Sequence, residues 1–297
     1  MGATATYLPR ETVRALSRRS DLWGAWLTFH VWAVIIGTWV VAAVWTNPLT
    51  ILLGIFIVGA RQHGLSILMH DAAHGVLFRT RALNDFVGRW LLGAPYGGDM
   101  HSYRHYHLMH HRYTQSEDDP DLPLSAKFPT TRASLRRKLF RDITGQTYLR
   151  IRLANLKNAS EPGMEAFRKS SPVPFLITNA VLLGGLVLAG QWWIYPVLWL
   201  LPTATSFMLF IRLRNIAEHA VTTTDGNVLT QARTTRASWL ARVFLAPYYV
   251  NYHVEHHAYM YFPCWQLPRA HKAMAAHHAD MEIQPGYRDV LRLASAG

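Results

Sequence analysis

Two long apolar stretches without a charged residue dominate the hydrophobic pattern of the chain. Residues 22–60 and residues 170–211 contain no Asp, Glu, Lys or Arg. Each stretch is about twice the ~20 residues that an α-helix needs to cross a bilayer. Each also has a break near its middle, at Thr46-Asn47-Pro48 and at Ala189-Gly190-Gln191. The pattern predicts two transmembrane hairpins, because a buried core of a soluble protein does not keep such stretches free of charge. The four helices are expected over about 22–45, 48–68, 172–189 and 192–212.

The second and fourth predicted helices are expected to continue beyond the apolar stretches. No breaker separates the second from Arg61 and His70, and Gly75 is the first residue suited to end it. The fourth is expected to extend to His219. The remaining segments have the pattern of short helices and loops. The predicted fold is therefore all-α: an integral membrane protein with four transmembrane helices in two hairpins and a cytosolic helical cap, with residues 1–297 as a single domain.

The distribution of positive charge predicts the orientation in the membrane. The chain carries a formal net charge of +12, and segment 127–169 holds eleven Lys or Arg against three acids, Asp142, Glu161 and Glu165. Four arginines precede the first hairpin, and both hairpin tips are uncharged. The positive-inside rule then places the termini and the cap in the cytoplasm, with the helices in the cell (inner) membrane. We interpret the excess charge as attraction to anionic lipid or to an acidic redox partner, since no nucleic-acid motif is present.

The chain has one cysteine, Cys264. A single thiol excludes an intrachain disulfide and a four-thiolate iron site, whether rubredoxin-like or an iron–sulfur cluster. We interpret Cys264 as a packed small residue. Electrons for any redox chemistry are therefore expected to come from a separate donor.

Nine histidines form three clusters and one single position. They read His70-Asp-Ala-Ala-His74, His107-Leu-Met-His110-His111, His219 alone, and His253-Val-Glu-His256-His257. Residues three and four apart share a helix face. In each His-x-x-His-His box, the first and third histidines stack one turn apart and the middle one points about 100° away, so one helix can serve two neighbouring ions. Neutral imidazole suits iron, zinc, copper and nickel. Nine such rings exceed the needs of one four-coordinate ion, and the sequence predicts two metal ions with four or five nitrogens each.

Acidic residues near the boxes are candidates to support the ligands. Asp71 lies in the first box, Glu255 lies in the third and Glu218 adjoins His219. All three are candidate acceptors for ligand N–H groups, with surface charge or pairing to nearby arginines as the alternative. The acidic run after the second box is expected to cap or salt-bridge the cytosolic cap rather than to ligate metal; it comprises Asp118, Asp119 and Asp121.

The other seven histidines are expected to have lesser roles. We expect His30 to be a hydrogen-bonded packing residue of the first helix, and His63 to be a weak candidate for contact with the site. A solvated role is expected for His101 and His105, with support of the second box as the alternative. Surface positions on a terminal amphipathic helix are expected for His271, His277 and His278.

The boxes and their order resemble those of the membrane fatty acid desaturase superfamily, which includes acyl desaturases, alkane and fatty acid hydroxylases, and carotenoid ketolases. The likeness extends from about Ile57 to His271. It is carried by Met69-His-Asp-Ala-Ala-His-Gly75, by His107-Leu-Met-His-His-Arg112 followed by Asp118-Asp-Pro-Asp121, and by Asn251-Tyr-His-Val-Glu-His-His257 followed by Phe262-Pro263 and Leu267-Pro268.

This resemblance implies a non-haem di-iron centre, O2 as co-substrate and a lipid or hydrocarbon substrate from the bilayer. It implies that the nine histidines are the iron ligands, and that Asn215, four residues before His219, holds a water at the metal. The box phrases fit fatty acyl desaturases best, with a lipid or carotenoid hydroxylase or ketolase as the alternative. No fused cytochrome b5-like segment is present, so a ferredoxin-like acidic donor is expected to dock on the basic segment 127–169.

Three functions outside this superfamily fit the pattern less well. A membrane haem protein would need paired single histidines within its spans. A zinc hydrolase would carry His-Glu-x-x-His, which is absent. A metal transporter would place ionisable ligands inside its spans, whereas the two apolar stretches hold only His30. An unactivated C–H bond, by contrast, has no acidity for side chains to exploit, and its cleavage requires a redox metal.

Overall fold

The computed structural model describes residues 7–157 and 171–297. The end of the basic segment 127–169, with Glu161 and Glu165, lies outside the described residues. Helices form most of the regular structure. In chain order they are α1 Arg10–Leu16, α2 Asp21–Val44, α3 Pro48–Ala73, α4 Arg81–Phe86, α5 Met100–Tyr113, α6 Leu122–Ser125, α7 Arg132–Ile143, α8 Gln146–Lys157, α9 Val173–Leu188, α10 Leu201–Ala204, α11 Ser206–His219, α12 Trp239–Phe244, α13 His253–Ala258, α14 Leu267–Ala275 and α15 Tyr287–Ala294.

Short turns of other helix types and one small sheet complete the described structure. The π-helical turns are Val87–Gly93 and Pro196–Leu200, and the 3-10 turns are Ala94–Tyr96, Pro247–Tyr249 and Cys264–Gln266. Strands β1 Thr234–Thr235 and β2 Ile283–Gln284 pair in parallel.

Three helical stretches of the described chain are long and apolar enough to cross a membrane: α2, α3 and the continuous stretch Pro196–His219. The first two agree with the predicted spans. The third begins at Pro196 rather than near 192 and continues to His219, as expected. Helix α9 is apolar but has only 16 residues, so four spans in two hairpins stay a prediction.

The break between α2 and α3 is a capped helix start. The Asn47 side-chain oxygen accepts the backbone N–H groups of Leu49 and Thr50 at 3.0 and 3.2 Å. Pro48 occupies the first helical position, where its missing N–H has no cost. The residues that interrupt the apolar stretch therefore begin a new helix, and α3 then runs without a break to the first histidine box.

Helix α3 is the centre of the fold and packs against α2, α5 and α11. Its approach to α11 is close at Gly59, where an added Cβ would lie 2.0 Å from the Ser206 hydroxyl oxygen. That hydroxyl donates to the Ile55 carbonyl at 2.7 Å. The close approach brings the ends of α3 and α11, with His70 and His219, to the same side of the molecule.

Large apolar side chains are exposed along α2 and α9. Phe29 is 63% exposed and Val181 is 69% exposed. Exposed apolar surface of this extent is typical of contact with lipid. Helices α5 and α13 carry the second and third boxes, and α5 packs against α3.

Candidate metal centre

The histidines of the three boxes and His219 converge into two adjacent groups. One ligand nitrogen from each histidine lies within 4.8 Å of those from every other member of its group. The first group is His70, His74, His107, His111 and His256; the second is His110, His219, His253 and His257.

Helix geometry explains how each box is divided. Helix α5 gives His107 and His111 to the first group and the intervening His110 to the second. Helix α13 does the reverse, giving His256 to the first group and the flanking pair of its box to the second. The rings one turn apart stay together and the middle ring turns to the neighbouring group, the division that the box spacing predicts.

The ring nitrogens are spaced like neighbouring ligands of one ion. Two nitrogens bound about 2.0–2.1 Å from an ion at a right angle are ~3.0 Å apart. The Nε2–Nε2 distances in the structure agree with that value. They are 2.8 Å for His253–His219, 2.9 Å for His111–His256, 3.0 Å for His111–His107 and 3.1 Å for His257–His253.

Six of the nine rings are buried and three are half-buried. Burial favours the neutral imidazole, which is the form that binds metal. Burial, followed by repulsion from Arg104 and His110, lowers the pKa of His74 to about 3. Burial likewise lowers the pKa of His107 and His256 well below its usual value. The Nε2 atoms of His70 and His74 are buried and have no hydrogen-bond partner among the described residues. Buried polar atoms without a partner are costly, and a bound cation would satisfy them.

Hydrogen bonds at Nδ1 orient two rings of the second group. The Nδ1–H of His110 donates to Asp119 Oδ1 at 2.8 Å, with both side chains buried. The Nδ1–H of His219 donates to the Gln231 carbonyl at 3.1 Å. Both bonds leave the Nε2 lone pair free to bind metal. The direct partnership of Asp119 with a box histidine was not anticipated from the sequence, which suggested capping or ion pairing within the cap.

Asp119 also hydrogen-bonds to the backbone of its own loop, without capping a helix. It accepts the backbone N–H groups of Gln115 and Asp121, each at 2.8 Å. Asp121 accepts the Tyr106 hydroxyl at 2.5 Å, and Asp118 is exposed.

Two of the three candidate support acids lie beside a box histidine. Glu218 Oε1 is 3.5 Å from His253 Nδ1 and accepts a hydrogen bond from Arg214 Nε at 2.6 Å. Both partners that the sequence suggested, a ligand histidine and a nearby arginine, are therefore present. Asp71 Oδ1 is 3.5 Å from His70 Nδ1. The other oxygen of Asp71 accepts the backbone N–H of Cys264 at 2.8 Å. Cys264 is buried, in agreement with its predicted packing role.

The third candidate acid, Glu255, points away from the centre. Its carboxylate accepts the Thr234 hydroxyl at 2.5 Å and His271 Nδ1 at 2.5 Å. His271 is therefore half-buried, with 20% of its side chain exposed, rather than fully at the surface as predicted. Helix spacing contains the signal for this orientation: position 255 lies about 200° around the helix from His253 and His257.

Asn215 lies beside the second histidine group. It lines a cavity of about 30 Å³ together with His110, His219, His253 and Glu218. Such a cavity is large enough for a water molecule, and its walls offer several polar partners. A water-holding role for Asn215 stays a proposal.

The remaining histidines lie outside both groups. His30 Nδ1 is 3.0 Å from the Tyr248 hydroxyl, so its predicted packing role is confirmed. His63 is buried and bonds through Nε2 to the Leu245 carbonyl at 3.2 Å. His278 is half-buried and bonds to the Tyr7 carbonyl at 2.9 Å, which corrects its predicted surface position. Three others are exposed: His101, His105 and His277.

Tyr103 is a neighbour of the centre that we did not predict from the sequence, although its spacing from His107 was a signal. Its ring stacks on His107 with centroids 5.1 Å apart and planes inclined by 12°. Tyr103 precedes His107 by four residues and so shares its helix face. The aromatic ring limits the orientations open to His107 and covers it on one side.

Comparison with known proteins places this chain among desaturases and carotenoid ketolases by sequence similarity. The family model described as fatty acid desaturase matches residues 45–285. A dihydrorhizobitoxine desaturase of Bradyrhizobium elkanii is 29% identical over an alignment of 261 residues that covers 83% of this chain and 70% of that protein. A beta-carotene ketolase of a Paracoccus species is 26% identical over 273 residues, 89% of this chain and 96% of the ketolase. A sphingolipid delta(4)-desaturase/C4-monooxygenase of Homo sapiens is 29% identical over 225 residues, 72% of this chain but only 62% of the human protein.

Proposed function

The chain belongs to the fatty acid desaturase family, and we propose that it is an O2-dependent di-iron oxidoreductase that acts on an unactivated C–H bond of a membrane lipid. The first candidate reaction is desaturation of a fatty acyl chain. The observation that carries this proposal is the convergence of nine buried or half-buried histidines into groups of five and four, with Nε2 atoms spaced as neighbouring ligands are.

The two histidine groups would hold one iron each. Their donors are all neutral imidazoles, which suit iron and leave no role for thiolate chemistry. Iron would supply the capacity to activate O2, which cleavage of a C–H bond without acidity requires and which no side chain has. Nine nitrogens exceed the four ligands of a structural zinc site, which supports a pair of ions.

The protein's own side chains would keep these rings in position. Asp119 and the Gln231 carbonyl fix the proton of His110 and His219 on Nδ1. Tyr103 covers His107. The amide of Asn215 would hold a water in the small cavity beside the second group. Fixed rings in a buried site favour a single arrangement of ligands before substrate binds.

An apolar cavity gives the substrate a route from the bilayer. The cavity has a volume of about 410 Å³ and lies between α2, the π-helical turn 87–93 and α9. Pro95 is part of its wall, and the adjacent Tyr96 donates its hydroxyl to the Met69 sulfur at 3.2 Å. Met69 directly precedes His70. We propose that the hydrocarbon chain of the substrate lies in this cavity and reaches the centre past Tyr96.

Ketone formation or hydroxylation of a lipid or carotenoid is the second candidate reaction. The Paracoccus beta-carotene ketolase aligns with this chain over 96% of its own length, and the human relative is named both as a desaturase and as a monooxygenase. Both reactions begin with removal of a hydrogen from a carbon of the lipid. They differ in the second step, and the shape of the substrate cavity would decide between a further hydrogen removal and the addition of oxygen.

We further propose a four-span topology in the cell membrane, with the termini, the cap and the histidines in the cytoplasm. The spans would be α2, the first part of α3, α9 and the first part of Pro196–His219, and the ends of the second and fourth that carry His70 and His219 would extend beyond the bilayer. The uncharged α2–α3 and α9–Pro196 connections support this orientation. A separate acidic electron donor, such as a ferredoxin-like protein, would dock on exposed basic side chains of the cap. These are Lys127, Arg132, Arg136, Arg137, Arg150 and Arg152.

Product analysis tests the proposed reaction. The protein is expressed in a host with saturated lipids, with and without added carotenoids, and extracts are analysed by gas or liquid chromatography with mass spectrometry. New double bonds in fatty acyl chains are expected for the first candidate, and new ketones or hydroxyls for the second. The inactive control is His110→Ala, and the matched active control is His105→Ala on the same helix, because His105 is exposed. An iron-loaded protein that oxidises neither class of lipid, when supplied with a working reductant, contradicts the proposal.

A further inference from the structure

A third and larger cavity lies on the far side of α3 from the histidines. It has a volume of about 610 Å³, and its walls come from the first turns of α2, from α3 and from segments 242–249 and 265–269. Arg61 and His70 lie on the same helix nine residues apart, which turns their side chains about 180° from each other and separates them by ~13.5 Å along the axis. None of the eight box histidines lines this cavity, and neither does His219. It is therefore distinct from the metal centre.

The charge of this cavity is positive and has no acidic counterpart in its walls. Arg61, Arg242 and Arg269 line it, and no Asp or Glu does. Arg61 is only 6% exposed. Its guanidinium donates to the Val243 carbonyl and lies beside the Tyr248 hydroxyl, both of which are neutral groups. No carboxylate forms a salt bridge with Arg61 in the described part of the chain. A buried cation without a counter-charge is costly, and a bound anion would remove that cost.

The remaining walls are aromatic and apolar. Trp23 and Trp26 stand at the mouth, about half exposed, and Trp23 stacks on Trp265 with centroids 6.2 Å apart. Tryptophans are enriched at the depth of lipid headgroups. Further along α2 and α3, Val34 and Ile57 form an apolar wall. The cavity is thus cationic at one end and apolar along its length.

The loop that closes the cavity holds two tyrosines in an unusual backbone conformation. Tyr248 and Tyr249 have φ of 53° and 64°, a left-handed conformation that bulky residues rarely adopt. Tyr248 is fixed by contact with both Arg61 and His30. The Arg242 guanidinium lies 5.8 Å from the centre of the Tyr249 ring. The loop therefore directs two aromatic rings and an arginine to the same space.

We propose that this cavity binds one anionic phospholipid, separately from the substrate. Its phosphate would lie among Arg61, Arg242 and Arg269, because one guanidinium group can donate two parallel hydrogen bonds to two phosphate oxygens. One acyl chain would follow Val34 and Ile57 toward the bilayer. The exposed Arg242 and Arg269 at the mouth favour a headgroup from the surrounding leaflet over a ligand enclosed within the protein.

Native mass spectrometry of the purified full-length protein in neutral detergent tests this proposal. The probes are dipalmitoyl phosphatidylglycerol, dipalmitoyl phosphatidylcholine and palmitate. One bound phosphatidylglycerol is expected, retained about 10-fold more tightly than phosphatidylcholine, because charge-assisted contacts of this kind are strong. In the double variant R242Q/R269Q this preference should disappear. The matched control is Arg132→Gln, an exposed arginine of α7 outside the cavity, and it should bind as the unmodified protein does.

Three results would overturn the proposal: equal retention of the two phospholipids, an unchanged preference in R242Q/R269Q, or binding of palmitate alone. The double variant uses exposed positions, so the test does not depend on the buried Arg61. Iron content measured on the same samples should be the same in all variants, because the cavity faces away from the histidines. Lipid binding and metal binding are thereby measured independently, and either result can fail without the other.

Discussion

His110 and Asp119 form a buried hydrogen bond of 2.8 Å between Nδ1 and Oδ1 at the edge of the second histidine group. The chain turns back between them at Gln115, whose φ is 61°. Asp119 also accepts the Gln115 backbone N–H at 2.8 Å. A single carboxylate therefore fixes both the orientation of a box histidine and the turn after it.

Removal of this carboxylate should weaken the second group without unfolding the protein. Loss of a partner that orients a metal-binding histidine typically costs about 10–100-fold in metal affinity or activity. We expect Asp119→Ala to show a loss of that size in turnover, together with a lower iron content after dialysis. Asp118→Ala is the matched control, because Asp118 is adjacent but exposed. Full activity and full iron content in Asp119→Ala would mean that His110 needs no such support.

The two histidine groups should be separable by substitution. We expect His256→Ala to release iron from the five-histidine group and His257→Ala to release it from the four-histidine group, although the two residues are neighbours in one box. Replacing His70 or His110 should likewise abolish turnover and lower the iron content. His105→Ala, on an exposed face of α5, should change neither quantity. Iron analysis by plasma mass spectrometry measures these losses, and normal turnover in any of the four variants would remove that histidine from the centre.

The sequence could predict how the histidines of each box are shared between the two groups, because this sharing depends only on local helix geometry. Residues four apart share a face whatever surrounds the helix, so the pairs His107–His111 and His253–His257 stay together. The family assignment is also confirmed, because the family is recognised from short contiguous sequence motifs that need no knowledge of the fold. The two long spans α2 and α3 also agree with their predicted bounds within a few residues, because uninterrupted apolar length is visible in the sequence.

Contacts made by tertiary folding were beyond sequence reasoning. The Glu255–His271 hydrogen bond joins α13 to α14, and the Tyr7–His278 bond joins the N-terminal region to the residues after α14. The two residues of each pair are far apart in the sequence, so no spacing pattern predicts that they are in contact. The partner of Asp119 depends on the left-handed turn at Gln115, a conformation that glutamine rarely adopts.

The close approach of α3 to α11 makes Gly59 sensitive to a single methyl group. An added Cβ there would lie 2.0 Å from the Ser206 oxygen, so the helices must separate or the Ser206–Ile55 hydrogen bond must break. We expect Gly59→Ala to lower the free energy of unfolding by about 1–3 kcal/mol, as overpacking does. Gly184→Ala on α9 is the control, since nothing lies within 4 Å of its Cβ position. Thermal unfolding in detergent compares the two variants. Equal midpoints would show that α3 and α11 lie far enough apart at Gly59 to accept a methyl group.

The exposed arginines of α7 should govern reaction with an acidic electron donor. We expect the double variant R136Q/R137Q to raise KM for a ferredoxin-like donor about 3- to 10-fold with little change in kcat, because exposed charges mainly affect encounter. Added salt should raise KM of the unmodified protein and affect the variant less. Arg288→Gln, an exposed arginine outside the basic segment, serves as control. Steady-state kinetics independent of ionic strength would exclude electrostatic docking on α7.

The stoichiometry of bound iron tests the central claim most directly. Protein purified from cells grown with ⁵⁷Fe is analysed for metal content and by Mössbauer spectroscopy, with an optical spectrum to detect haem. The two histidine groups predict two non-haem iron ions per chain in nitrogen-rich sites, with His256→Ala and His257→Ala each losing iron. One iron or none per chain in active protein, or a haem spectrum, would contradict the di-iron centre and with it the proposed function.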